Sequence, residues 1–345
     1  MARENHVRLR GVLPADPIIR ESNDGKDAYA VFNVFVSRPN RVVGDKQGGI
    51  KKVNILVSSR NPGIVRVAKT LKKFDAVDIN GVLTTKLIKK SSFCTYCGHK
   101  NMTMGTMVYV TPNYIEYISK VEDIKDALRY ISDRAEISNT LRVIGEVMTE
   151  PKILHKTTGT PVDFTQYKLK LRRKMKIKED DPKIGSDFPW VKSYGENAIL
   201  DRFRLKKGST VYIDGCVQTR YIKRHIICGQ KRDHNGQYMT TSTGEPIIEV
   251  DPNTNKELGC GTVYDWNDQV LEIVPFAVEY LTDYIDKNDN KEIIEQRLDM
   301  LRGVATDMGN LQQLDDNVTE EELQAGLDRF DQGNVEFDGD DSDFS

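Results

Sequence analysis

Two stretches of the chain carry residue types that can bind a polyanion. In PWVKSYG, Trp190, Lys192 and Tyr194 alternate with Val191 and Ser193, and in QYKLKLRR, Lys168, Lys170 and Arg172 alternate with Tyr167, Leu169 and Leu171. Successive side chains of a strand point to opposite faces, so each stretch sorts its polar or aromatic set to one side and its other set to the back. As neighbours they lay a comb of cations beside two aromatic rings. Cations track phosphates and flat rings stack on bases of any identity, at ~1–3 kcal/mol per stacked base, so the combination fits single-stranded nucleic acid, DNA or RNA alike. A duplex calls for a helix or ribbon sized to a groove, and none is evident. The plainer alternative is that the rings cover a barrel end and the lysines are solvated.

A second chemistry belongs to cysteine. Cys94 and Cys97 form CTYCG, a turn in which two thiolates can face one metal ion, but a closed zinc site needs four ligands and the sequence has no second CxxC. Cys228 and Cys260, the latter in GCG, offer a further pair. Either the four complete one all-thiolate structural zinc site, or each pair recruits His99, His225 or His234, or all stay reduced and unligated. Cys216 reads as packing inside a strand. Catalytic signals are thin: no GxxxxGK[ST], HExxH or GxSxG occurs, nor HxE followed by PCxxC, and the pairs Asp180–Asp181 and Asp340–Asp341 fall in loops or tail. The expectation is a protein that is not an enzyme, with a metal-dependent nuclease built from scattered carboxylates as the enzymatic alternative.

The elements that position these residues occur twice. Alternating runs at His6 to Pro14, Asp27 to Arg38 and Lys51 to Ser59 are followed by a helical IVRVAKTLKKF, then AVDINGVLTTKLI and MVYVTPNYIEYI. That order is a small five-stranded barrel. From Asn139 it begins again with TLRVIGEVMTEPKI, DFTQYKLKLRRKM, FPWVKSY, a helical ENAILDRFRLKK, STVYIDGCVQTRYI and QVLEIVPFAVEYL. Gly81 and Gly215 end equivalent strand motifs, and thirteen residues beyond each stands Cys94 or Cys228, which supports duplication. Between the copies Val121, Ile124, Leu128 and Ile131 predict one helix, with SKVE at Ser119 to Glu122 as its capping box. The second copy carries an insertion, 229–259, rich in turn residues and expected as a hairpin or mobile loop.

Outward positions in the first copy are poorer: Phe35 with Asn33, then Lys52, Asn54 and Arg60. Phe35 is placed among the binding residues as a stacking platform, with core packing as its alternative. Lys86, Lys89 and Lys90 and their counterparts Arg220, Lys223 and Arg224 climb the fourth strands as phosphate contacts.

The 345 residues allow about two domains and a tail. With 38% hydrophobic and 30% charged residues, compact cores must alternate with much solvated surface. The net charge of −2 conceals a split: 283–345 holds 19 acidic and 5 basic residues, net −14, and the rest carries +12. A cationic body suits a polyanion partner, and an acidic tail can mimic it. KEIIEQRLDMLRG and TEEELQAGLDRF predict short helices there, and NVEFDGDDSDFS a disordered tip. No run is long enough to span a membrane, and MARENHVRLRG lacks the apolar stretch of a signal peptide, so no membrane partner is expected.

KKGSTVYIDGCVQTR (Lys206 to Arg220) resembles the fourth-strand signature of bacterial single-stranded DNA-binding proteins. WVKSYGENAILDRFRLKKG resembles their third strand and helix, and VNILVSSRNPGIVRVAKTLKKFDAVDINGVLTTK is a looser match in the first copy. Together these cover most of residues 1–280. The resemblance implies an oligonucleotide-binding (OB) barrel, stacking by Trp190 and Tyr194, and a tail tip, DDSDFS, in which Asp340, Asp341, Asp343 and Phe344 recruit replication and repair proteins. There are departures. The family usually carries one barrel per chain and assembles as a tetramer, so two barrels here imply one or two chains. An aromatic of the fourth strand is replaced by Ile88 and Ile222, the tail ends in Phe344 then Ser345, and cysteine-bearing loops are unusual, which suggests a viral or mobile-element member.

The expectation is a mainly β chain: a first OB-fold domain with a CxxC loop at 1–118, a helical linker at 119–138, a second OB-fold domain at 139–282 and an acidic tail at 283–345. Its function is to bind and protect single-stranded DNA in replication, recombination or repair, in the cytoplasm, at the nucleoid or in a viral host. An OB-fold adaptor of a replication complex is the alternative.

Overall fold

The computed structural model describes residues 3–21, 28–38, 51–155, 163–173, 185–233 and 238–282. The tail, with Asp340, Asp341, Asp343 and Phe344, and His234 lie outside the described residues. The first copy supplies β1 (Asn5–Val12), β2 (Ile18–Glu21), β3 (Ala28–Arg38), β4 (Lys51–Ser59), α1 (Pro62–Thr70), β5 (Asp75–Phe93) and β6 (Lys100–Lys120). Two helices, α2 (Ile124–Ser132) and α3 (Ala135–Ser138), lead to the second copy: β7 (Asn139–Val147), β8 (Lys152–His155), β9 (Asp163–Arg172), β10 (Ser186–Asp187), β11 (Trp190–Tyr194), α4 (Gly195–Arg204), β12 (Thr210–Ile227) and β13 (Val263–Tyr280).

Strand β1 pairs with β3 and β5, β3 with β4, β5 with β6, and β4 with β6 in parallel at Val57 and Val110, which closes a five-stranded barrel. The second copy repeats it: β7 pairs with β9 and β12, β9 with β11, β12 with β13, and β11 with β13 in parallel at Val191 and Ile273. This is the tandem OB-fold, mainly β architecture read from the sequence. The barrels are joined by β1 and β7, antiparallel from Asn5 opposite Val143, through Val7 opposite Leu141, to Leu9 opposite Asn139. One apolar cluster runs through both, from Val7, Phe32 and Ile55 to Leu141, Leu169 and Ile273.

The same residues do the same work in each copy. A Cβ on Gly81 would lie 2.4 Å from the Thr111 carbonyl oxygen, and one on Gly215 would lie 2.3 Å from that of Val274, so only glycine lets the fourth and fifth strands close. Asn5 bridges the backbone of Leu83, donating to its carbonyl and accepting from its N–H, both at 2.9 Å. Asn139 does so at Val217, at 2.7 and 3.1 Å.

The linker differs from the sequence reading. Ser119 belongs to β6, because the alternating run YIEYI favours extended backbone, and the cap is Asp123, which accepts from the Asp126 N–H at 2.9 Å. Two helices stand where one was expected. No described helix is long and apolar enough to cross a membrane.

Among the described residues the chain forms two compact units, a larger one within Met1–Thr85, Val108–Thr219 and Leu271–Thr319 and a smaller one within Lys86–Met107 and Arg220–Val270. The larger holds both barrels. The smaller holds the far ends of β5, β6, β12 and β13 with the insertion, whose bridges Gln230 to Ile248, Thr240 to Pro246 and Val250 to Glu257 make it a short irregular ribbon.

Candidate nucleic-acid interface

Strands β9 and β11 are antiparallel neighbours, with Trp190 opposite Lys168, Lys192 opposite Gln166 and Tyr194 opposite Phe164. Tyr167, Leu169, Leu171, Val191 and Ser193 are fully buried behind them, as the alternation requires. On the outer side Trp190 is 39% exposed. The Lys168 ammonium lies 5.8 Å from its ring centre and 5.9 Å from that of Phe188. Lys170 sits across from Glu146, and Arg172 is exposed.

Lys192 departs from the reading that set it on the open face. It is 9% exposed, with its ammonium 3.8 Å from the ring centre of Phe164 and 5.3 Å from that of Tyr194. Those two rings are 6.1 Å apart and enclose the cation, whose charge their π-faces stabilise. Lys192 therefore braces the rings. Phe164 and Phe188, which sequence reasoning missed, extend the aromatic row; each shares the parity of the residues it joins, and both signals were available.

Two buried carboxylates fix this surface. Asp187 pairs with Arg173 at 2.6 Å and accepts from the Thr85 N–H at 2.8 Å, while Thr85 Oγ1 accepts from the Phe188 N–H, anchoring the segment that leads into Trp190. Behind β11, Asp201 on α4 accepts from the hydroxyls of Ser193, Tyr167 (3.0 Å) and Tyr280 (2.8 Å). Burial pushes its carboxyl up to about 6, against the pull of those three donors.

The equivalent face of the first barrel is a different surface. Phe35, assigned to binding by sequence, is 2% exposed and offers no ring to a base. The linker packs on the same strand: α2 and α3 lie against β3, where Ser37 Oγ donates to the Ile131 carbonyl at 2.7 Å and the Ser37 N–H donates to Ser138 Oγ at 3.0 Å. Thr219 donates to the Asn54 carbonyl at 2.6 Å, and Lys52, next on that face, is half-buried. Arg60 lies over the Tyr29 ring at 5.7 Å.

In the smaller unit several fourth-strand cations are already engaged. Asp268, nearly buried, holds Lys90 at 2.6 Å and Arg224 at 2.7 Å, and Asp265 holds Lys223 at 2.6 Å and His225 at 2.7 Å. Asp265 and Asp268 were overlooked in the sequence; they take Lys90, 14% exposed, out of the open phosphate contacts, while Lys223 and Arg224 are paired but stay exposed. Lys89 is exposed, and Lys86 and Arg220 are half-buried.

The same unit gathers Cys94, Cys97, Cys228 and Cys260 with all four sulfurs within 4.8 Å of one another, the only such metal-capable group of Cys, His or acidic residues among the described residues. Neither His99 nor His225 joins it. Cys216 is buried apart. Burial pushes the Cys228 thiol up to about 12, while the hydroxyl and N–H of Thr262 hold Cys260 down to about 6.

No protein-family model matches the chain, and no curated protein matches it. Among solved structures it is similar to the wild-type single-stranded DNA-binding protein from Thermus aquaticus, at 13% identity and a TM-score of 0.48 over 84% of this chain and 100% of that one. A deletion mutant of that protein aligns at 14% identity and 0.46 over the same shares. The Plasmodium falciparum single-stranded DNA-binding protein in complex with single-stranded DNA aligns at 19% identity and 0.28, over 34% of this chain and 98% of that one.

Proposed function

We propose that the chain binds and protects single-stranded DNA, largely without regard to sequence, by stacking bases on the aromatic row of β11 while Lys168 and Arg172 follow the phosphates. The observation that carries this reading is the exposed Trp190 ring held at a fixed register beside Lys168. The binding serves replication, recombination or repair, in the cytoplasm or at the nucleoid, or in the host cytoplasm if the source is viral. The acidic tail, through Asp340, Asp341, Asp343 and Phe344, recruits protein partners, and the chain acts alone or as a homo-oligomer without chemistry of its own. A structural zinc ion on the four thiols belongs to the same reading.

The test is titration with fluorescent oligothymidine and with a duplex of equal length, at two salt concentrations, following tryptophan emission in a Trp266→Phe background. Single strands should be preferred, quench Trp190, and lose affinity steeply with salt. Trp190→Ala with Tyr194→Ala should weaken binding by about 5- to 150-fold for each stacked base lost. A double variant that binds as tightly as the parent sinks the assignment.

A further inference from the structure

Resting on the zinc named in that reading, the geometry points to a narrower assignment: one Zn²⁺, held by two copies of a single cysteine knuckle, is what folds the smaller unit. In the first knuckle the Gly98 N–H donates to the Cys94 carbonyl at 2.9 Å, and the Cys94 N–H donates to the His99 carbonyl at 2.9 Å. In the second the Gly261 N–H donates to the Cys228 carbonyl at 3.2 Å, and the Cys228 N–H donates to the Thr262 carbonyl at 3.0 Å. Cys94, Cys97 and Gly98 thus correspond to Cys228, Cys260 and Gly261, and both glycines take positive φ, 74° and 69°. The insertion 229–259 stands where the first knuckle has only Thr95 and Tyr96. Its two ends close on each other: a Cβ on Gly229 would meet Gly259 Cα at 2.7 Å, so the ribbon leaves and re-enters the turn at one point.

The four sulfurs suit one tetrahedral ion. Sulfurs about 2.3 Å from zinc lie about 3.8 Å from each other, and here Cys94 and Cys260 are 3.7 Å apart and Cys97 and Cys228 3.5 Å, with none of the four in a disulfide. Apart from the ion pairs of Asp265 and Asp268, the unit has only a small apolar core to hold it. Its apolar cluster is Cys94, Ile226, Cys228 and Tyr264 with Trp266 against it, so two of the four buried residues are candidate metal ligands. Phe93, Tyr96 and Tyr221 stay 52%, 69% and 56% exposed. A unit with so small an apolar core is stabilised by metal ligation in place of burial.

The experiment uses full-length protein purified without chelator. Metal analysis should give one zinc per chain, and each of Cys94→Ser, Cys97→Ser, Cys228→Ser and Cys260→Ser should lose it. Removing zinc with a chelator should raise hydrogen exchange throughout 86–107 and 220–270 while the barrel strands β1, β7 and β9 stay protected. Replacing 229–259 with Thr-Tyr, which recreates a CTYCG turn, should retain one zinc. Well under one zinc per chain, iron in its place, a serine variant that keeps full metal, or exchange unchanged by the chelator would overturn the assignment. Oligothymidine binding by the Trp190 face is read separately, so metal without DNA binding sinks only the function, and DNA binding without metal only the knuckle.

Discussion

The two barrels share one lattice and differ in what they hang on its outer side. Val57 and Val191 hold the same parallel bridge, so Leu56 stands where the second barrel has Trp190, Ser58 where it has Lys192 and Arg60 where it has Tyr194. On the neighbouring strand Asn33 replaces Lys168 and Tyr29 replaces Phe164. The inner positions stay apolar or small in both copies, Ser59 matching Ser193, because each must fill a barrel, while the outer ones answer to whatever lies against them. In the first barrel that is the linker and Thr219; in the second, Trp190 is left open. A duplicated fold thus holds its core and frees its surface.

The largest effect that sharpens this contrast is on stability. Phe35→Ala should cost about 3–5 kcal/mol in urea unfolding as a buried ring is lost, while the folded fraction binds oligothymidine as the parent does. Weaker binding at unchanged stability would return Phe35 to the binding face.

Next in size is a pH response of opposite sign in the two barrels. Folding raises the Asp201 carboxyl from 3.8 to about 6, so the folded state takes up a proton, and the stability this group contributes is full below 3.8 and lost as pH rises through about 6. Asp78 of the first barrel is desolvated, yet the bonds from Arg8 and Arg10 hold it below 3.8, so its contribution is present above that value and lost on acidification. Asp201→Asn should therefore remove a decline of about 2–3 kcal/mol between about pH 4 and 6. Unfolding curves that stay parallel to the parent's across that range would break the contrast.

The smallest effect is at the counterpart of the stacking residue. Leu56→Ala should leave oligothymidine affinity within about twofold, since an aliphatic side chain offers no stacking face. A loss equal to that of Trp190→Ala would mean that the first barrel binds as well.

Much of this was legible in the chain. Alternation alone sorted Tyr167, Leu169 and Leu171 from Lys168 and Arg172, and the equal spacing from Gly81 to Cys94 and from Gly215 to Cys228 marked the duplication, with one shared four-thiol site as one of the arrangements it left open. N-x-[VL]-R-[LV]-x-G at Asn5 and Asn139 was a further mark of duplication that went unused. What alternation cannot supply is the identity of the element that covers an outward face. Phe35 and Trp190 sit on equally outward positions, yet Phe35, on the strand against which α2 and α3 pack, is buried and Trp190 is exposed. Nor does parity reveal an ion pair across strands, which is how Asp265 and Asp268 came to occupy cations read as open.

The pairing of β1 with β7 has one more implication. Asn5 and Asn139 are equivalent, as are Leu9 and Val143; Asn5 lies opposite Val143 and Asn139 opposite Leu9, with the equivalent Val7 and Leu141 facing each other at the centre. That is a local dyad, the isologous contact by which two identical single-barrel chains would dimerise. In a homodimer every substitution is imposed on both halves at once. Written into one polypeptide, the dyad keeps its geometry but releases that constraint, so one half can bury a phenylalanine where the other presents a lysine.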